Sequence, residues 1–69
     1  MEKTKDFTSS EKRILTVLYN AYKHLPTERV AEVAGISRAT AKKYLEELEN
    51  KGKVQNKRVG KSIYWWLRT

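Results

Sequence analysis

The chain has 69 residues and no cysteine, so it is a single domain held by packing alone, with neither a disulfide nor a thiolate zinc site. A domain this small buries only roughly 60% of the surface its unfolded chain exposes, which excludes a large enclosed substrate cavity. Fifteen Lys and Arg against eight Asp and Glu leave a net charge of +7, which favours an anionic partner.

Residues 1–7 lack hydrophobic periodicity and read as a flexible tail ahead of a domain spanning 8–69. The charged opening "MEKTKDFTSS" is no signal peptide, and no apolar run approaches the ~20 residues that cross a bilayer. A cytoplasmic protein without membrane contact is expected. Thr8-Ser9-Ser10-Glu11 fits a capping box, in which Thr8 accepts from the backbone N–H three residues on and Glu11 reaches back to the Thr8 N–H. A first helix should start there, with Ile14, Val17, Leu18 and Ala21 at helical spacing and Leu15 and Tyr22 widening the apolar arc. That arc is broader than one small helix layer needs, so Leu15, Tyr19 and Tyr22 are candidates for a dimer or partner surface.

Pro26 removes a donor and biases Leu25 to an extended conformation, so the first helix ends within "KHLPT" and Leu25 reads as a one-residue edge strand. Thr27 is placed to cap a second helix that buries Val30, Ala31, Val33 and Ala34 and turns Glu28 and Glu32 to water. Gly35 closes it. Ser37 caps a third helix with Ala41, Tyr44, Leu45 and Leu48 inward, and Gly52 ends it in turn. At about 100° per residue, Lys42 and Lys43 fall opposite that core face, with Ala39 between them. "KVQNKRV" and "SIYWWL" then form a two-stranded hairpin about Gly60-Lys61. Alternation in the second strand puts Ile63, Trp65 and Leu67 on one face, with Trp65 as core, and Tyr64 and Trp66 on the other, where they cover the first helix or meet a partner.

Charge is distributed unevenly along these elements. The third helix carries Arg38, Lys42 and Lys43 in its first half and Glu46, Glu47 and Glu49 in its second, while everything after Gly52 is basic, with Lys53, Lys57, Arg58, Lys61 and Arg68 and no acid. Intrahelical pairs such as Lys43 with Glu47 and Glu47 with Lys51 would support the acidic half as a solvated face.

The second and third helices are joined by a very short glycine turn and must cross steeply, so the first must offer a small residue where they meet. Ala31 and Gly35, four apart, supply the small residue and the turn, and Ile36 seals the corner. "TERVAEVAGISRATAKKYLEELENKGKVQNKRVGKSIYWWLRT", residues 27–69, resembles the winged helix-turn-helix domain of prokaryotic and archaeal transcription regulators of the MarR, ArsR and Lrp type. The likeness rests on the Ala31 and Gly35 spacing, Ser37 with Thr40, the apolar third-helix positions, the "LEELENKGKV" exit and a hairpin ending in "YWWL".

The resemblance implies a mainly α fold with a small β-hairpin, three helices plus a two-stranded wing, that binds double-stranded DNA sequence-specifically near the nucleoid. It implies that Ser37, Arg38, Ala39, Thr40, Lys42 and Lys43 meet the major groove. Thr27 would touch phosphate, and Lys57, Arg58 and Lys61 would line the wing against the adjacent backbone or minor groove. Arg38 can donate two parallel hydrogen bonds to guanine, whereas lysines are compact charges suited to phosphate, so Arg38 is the candidate for sequence readout. Glu46 would repel phosphate along a full-length groove, which implies end-on insertion. Such regulators are usually homodimers on half-sites about ~34 Å apart.

An alternative keeps the fold as a protein–protein interaction module in a transcription or replication complex. Shape recognition of RNA or left-handed DNA fits less well, because Lys42 and Glu46 stand where Z-DNA-binding winged helices use Asn and Tyr. No serine has a base to activate it and His24 has no second ligand at a useful spacing, so neither catalysis nor a metal site is expected. No cofactor or small-molecule ligand is expected either.

Overall fold

In the computed structural model, residues 7–21 and 23–68 are described; residues 1–6 of the expected tail, Tyr22 and Thr69 lie outside them. The chain runs α1 (Ser9–Tyr19), β1 (Leu25–Pro26), α2 (Thr27–Ala34), α3 (Arg38–Asn50), β2 (Val54–Val59) and β3 (Ser62–Leu67). The strands form one antiparallel sheet in the order β1-β3-β2, so the two-stranded wing gains a short third strand in which Leu25 faces Trp65 and Pro26 faces Tyr64.

The capping box forms as the sequence requires: Glu11 N–H donates to Thr8 Oγ1 at 3.1 Å and Thr8 N–H to the Glu11 carboxylate at 2.8 Å. α1 is shorter than its apolar pattern, ending at Tyr19 with Asn20 as its cap, and the Ala21 N–H closes a tighter turn onto Leu18 O at 3.2 Å. Phe7, assigned to the tail, instead packs against the core, with the Lys51 ammonium 4.8 Å from its ring centroid.

The α2–α3 turn follows from Gly35, which takes φ +74, so that its N–H bonds to Glu32 O and the Ile36 N–H to Ala31 O at 3.0 Å. Ser37 then restarts the chain as a helix, its Oγ accepting from Thr40 N–H at 3.1 Å.

Ile14, Leu18, Val30, Ala31, Ala34, Ala41, Leu45, Leu48, Val54 and Trp65 form a single core between the helices and the inner face of the sheet. Val33, expected inside, is 58% exposed. The buried stripe of α2 is Thr27, Val30, Ala31 and Ala34, spaced i, i+3, i+4, i+7, and Val33 falls outside it. Thr27 is therefore not a surface cap: it is the first residue of α2, behind Pro26 as N-cap, and is 7% exposed.

Two polar links fasten this thin core. The Trp65 indole N–H donates to Thr27 Oγ1 at 2.8 Å, and that hydroxyl donates to Ile63 O at 3.3 Å, so α2 is tied to the central strand at two points. The fully buried Glu11 carboxylate accepts from Lys51 Nζ at 3.0 and 3.1 Å, joining the start of α1 to the end of α3. Lys51, read from the sequence as an intrahelical partner of Glu47, thus also bridges two helices. Burial pushes the Glu11 carboxyl up, but the Thr8 N–H and the Lys51 ammonium outweigh it, leaving the pKa below its ordinary value. Arg13 adds a third tie, donating from Nη1 to Ala34 O at 3.2 Å, where a helix C-terminus leaves its carbonyls without partners.

Candidate nucleic-acid interface

α3 presents its first turn to solvent because the Ser37 cap stops the helix at the surface: Ser37, Arg38, Ala39, Lys42 and Lys43 are exposed and Thr40 is half-buried. The Ser37 and Thr40 hydroxyls lie 2.8 Å apart in a hydrogen bond, which orders the leading edge of the helix. Arg38 and Lys42 stand one turn apart on one side. Lys43 lies over its neighbour Tyr44, with Nζ 5.5 Å from the ring centroid.

The wing meets this edge. Arg38 and Lys42 of α3 line one cleft of about 180 Å³ with Arg58 and Lys61 of the hairpin, its lining completed by Thr27, Glu28, Ser62 and Ile63. The hairpin turn brings Lys61 there. Val59 pairs with Ser62 across the two-residue loop, and Gly60 takes φ +62, a conformation that costs a side-chain-bearing residue strain. Four cations against one carboxylate make the cleft an anion-attracting notch between the third helix and the wing.

The sequence-assigned residues are not all together. Lys57 precedes Arg58 on β2, and strand alternation sends it to the opposite face, where it lines a separate hollow with Lys23, His24, Val59 and Tyr64. The Thr27 hydroxyl is consumed between Trp65 and Ile63, so it is no phosphate donor. Glu28 is exposed, as the sequence reading has it, and also lines the cleft. The surface assigned to a partner divides as well: Leu15 packs on the core, Tyr19 is 78% exposed on α1, and Tyr64 and Trp66 lie on the outer sheet face. Trp66 is covered within the chain by His24, their rings stacked 3.9 Å apart at 17°.

Among the described residues no group of three or more His, Asp or Glu side chains could hold a metal ion, and no helix is long and apolar enough to cross a membrane.

Three helices, a short-turned α2–α3 corner and a basic hairpin beside the third helix define a winged helix-turn-helix domain of the kind found in transcription regulators. The model of the TrmB family, described as sugar-specific transcriptional regulators, matches residues 1–68, and the chain belongs to that family. No curated protein matches the chain. Among solved structures, it superposes on the PcaV transcriptional regulator of Streptomyces coelicolor with TM-score 0.86 at 24% identity, over 94% of this chain and 48% of that one. It also superposes on ZitR of Lactococcus lactis, a zinc-responsive MarR family member, with TM-score 0.80 at 26% identity, over 97% of this chain and 47% of that one. The chain spans about half the length of these regulators. The expected three-helix winged architecture is thus the observed one, and the family is TrmB, with MarR-type regulators as structural neighbours.

Proposed function

We propose that the chain binds double-stranded DNA sequence-specifically and regulates transcription by occupying an operator. The first half of α3 enters the major groove through Ser37, Arg38, Ala39, Thr40, Lys42 and Lys43, while Arg58 and Lys61 of the wing hold the adjacent backbone or minor groove. The observation that carries this reading is the single cleft in which Arg38 and Lys42 face Arg58 and Lys61, two elements converging on one path of negative charge. ZitR, whose fold the chain shares, has been solved in complex with DNA, which supports the same docking. Glu28 lines the same cleft and would repel phosphate on its side, leaving the backbone to Arg38, Lys42, Arg58 and Lys61. Two copies on half-sites about ~34 Å apart would meet through the Tyr19 side of α1, and the protein would act in the cytoplasm at the nucleoid.

The test is fluorescence anisotropy on a duplex enriched by selection and on a scrambled duplex, at several salt concentrations. Lys61→Ala should weaken both duplexes alike and lower the salt slope by about 1. Arg38→Ala should erode the preference for the selected duplex by about tenfold or more, as expected for loss of a bidentate guanine contact. If the wild-type chain binds neither duplex at low salt, the DNA reading fails and a protein-contact module takes its place.

A further inference from the structure

The outer face of the sheet carries features that the duplex-binding cleft does not use. β3 is central, so its outward side chains Tyr64 and Trp66 lie mid-sheet, while Trp65 between them is buried at 1% exposure. His24 continues the β1 register opposite Trp66 and stacks on it, and Trp66 Nε1 donates to Gln55 Oε1 at 3.2 Å, which fixes the indole plane. Tyr64 faces Lys57 directly across the β2–β3 ladder. Beside the stacked pair lies an open hollow of about 510 Å³ lined by Lys23, His24, Lys57, Val59 and Tyr64, with no carboxylate in its wall.

We propose that this face is a second nucleic-acid site, which takes an unpaired strand: bases stack on Tyr64 and the His24–Trp66 pair while Lys23 and Lys57 hold the phosphates. Ordered aromatic faces flanked by cations match the alternation of planar base and phosphodiester in a single strand, since every base offers a π-face. A duplex keeps its bases stacked inside and offers this surface only phosphate. An acidic peptide would satisfy the lysines but has nothing to insert against the rings. Because Lys57 and Arg58 are consecutive on β2 and point to opposite faces, the two sites are back to back across the wing. The inference stands independently of the duplex-binding proposal.

The test titrates the wild-type chain with oligo-dT of about 15 nucleotides and follows tryptophan fluorescence. Quenching should occur and should vanish in Trp66→Phe, because the remaining Trp65 is shielded in the core. Lys57→Glu and Tyr64→Ala should each weaken oligo-dT binding by about tenfold or more and leave duplex affinity within about twofold. Circular dichroism checks that Tyr64→Ala still folds, and the surface variant Lys57→Glu decides the matter if it does not. Arg38→Ala with Lys42→Ala should do the reverse, losing the duplex and keeping the single strand. The proposal is overturned if oligo-dT leaves Trp66 unquenched, if its binding falls with the Arg38 and Lys42 variants instead, or if poly-glutamate quenches Trp66 equally well.

Discussion

Replacing Thr27 with Val tests whether a single buried hydroxyl sets the seat of the wing on the helix-turn-helix. The substitution keeps the shape and removes the group that accepts from the Trp65 indole at 2.8 Å and donates to Ile63 O at 3.3 Å. The indole N–H, on a residue 1% exposed, then has no water to turn to. An unsatisfied buried donor costs ~1–3 kcal/mol, and the longer bond to Ile63 is worth less, so a loss of about 2 kcal/mol is expected. In a domain of this size that lowers Tm by roughly 8–16 °C. Thr27→Ser keeps the hydroxyl and loses only a buried methyl, so it should cost about half as much. Thermal unfolding by circular dichroism ranks the three proteins. The indole N–H resonance, protected from exchange in wild type and in Thr27→Ser, should exchange faster in Thr27→Val. If Val is as stable as Thr, or Ser is worse than Val, packing rather than the hydroxyl holds the wing.

The Glu11–Lys51 pair predicts a pH dependence. Folding lowers the Glu11 pKa, so its contribution is complete above the ordinary carboxylate range and is lost as pH falls through that range towards the folded value. Breaking a buried pair costs ~3–5 kcal/mol, but Lys51 is 38% exposed and water can replace it, so Lys51→Ala should cost about 1–2 kcal/mol at neutral pH. Melting from about pH 7 to about pH 3 should show that gap closing as Glu11 protonates, whereas a constant gap would remove the pair from the account. Gly35→Ala should cost about 1–2 kcal/mol, because the left-handed backbone alone is penalised and a new Cβ would meet nothing within 4 Å. A denaturant titration checks it, and a loss well above that range would show a clash at the corner.

The architecture was legible because its signals are local. A capping box, a Pro after Leu25, a glycine four residues past Ala31, and a glycine turn between two β-rich runs each fix the backbone within a few residues, and each appears where the pattern puts it. The last turn assigned to α1 was not legible: Ala21 continues the apolar spacing, yet the helix stops at Tyr19. Spacing marks which face is buried, not how far the backbone stays helical. Glu11 shows a second limit. Its part in the capping box lies three residues from Thr8, but its pairing with Lys51 spans 40 positions, and no local rule connects them.

For the site, residue type was readable and facing was not. Arg38, Lys42, Arg58 and Lys61 were all marked by charge, and the fold collects them in one cleft. Lys57 carried the same charge and was grouped with them, although strand alternation alone would have separated it from Arg58. Thr27 has the same lesson in a helix. Read by its position after Pro26 it is a cap, but read with Val30, Ala31 and Ala34 it opens an i, i+3, i+4, i+7 stripe and points inward. A hydroxyl on a buried stripe needs partners, and the two it finds belong to the strand that carries the wing. The positioning of the basic hairpin against α3 therefore depends on a buried residue whose hydroxyl is spent inside the fold, so variation at Thr27 should move the angle between Lys61 and Arg38 rather than the charge of the cleft.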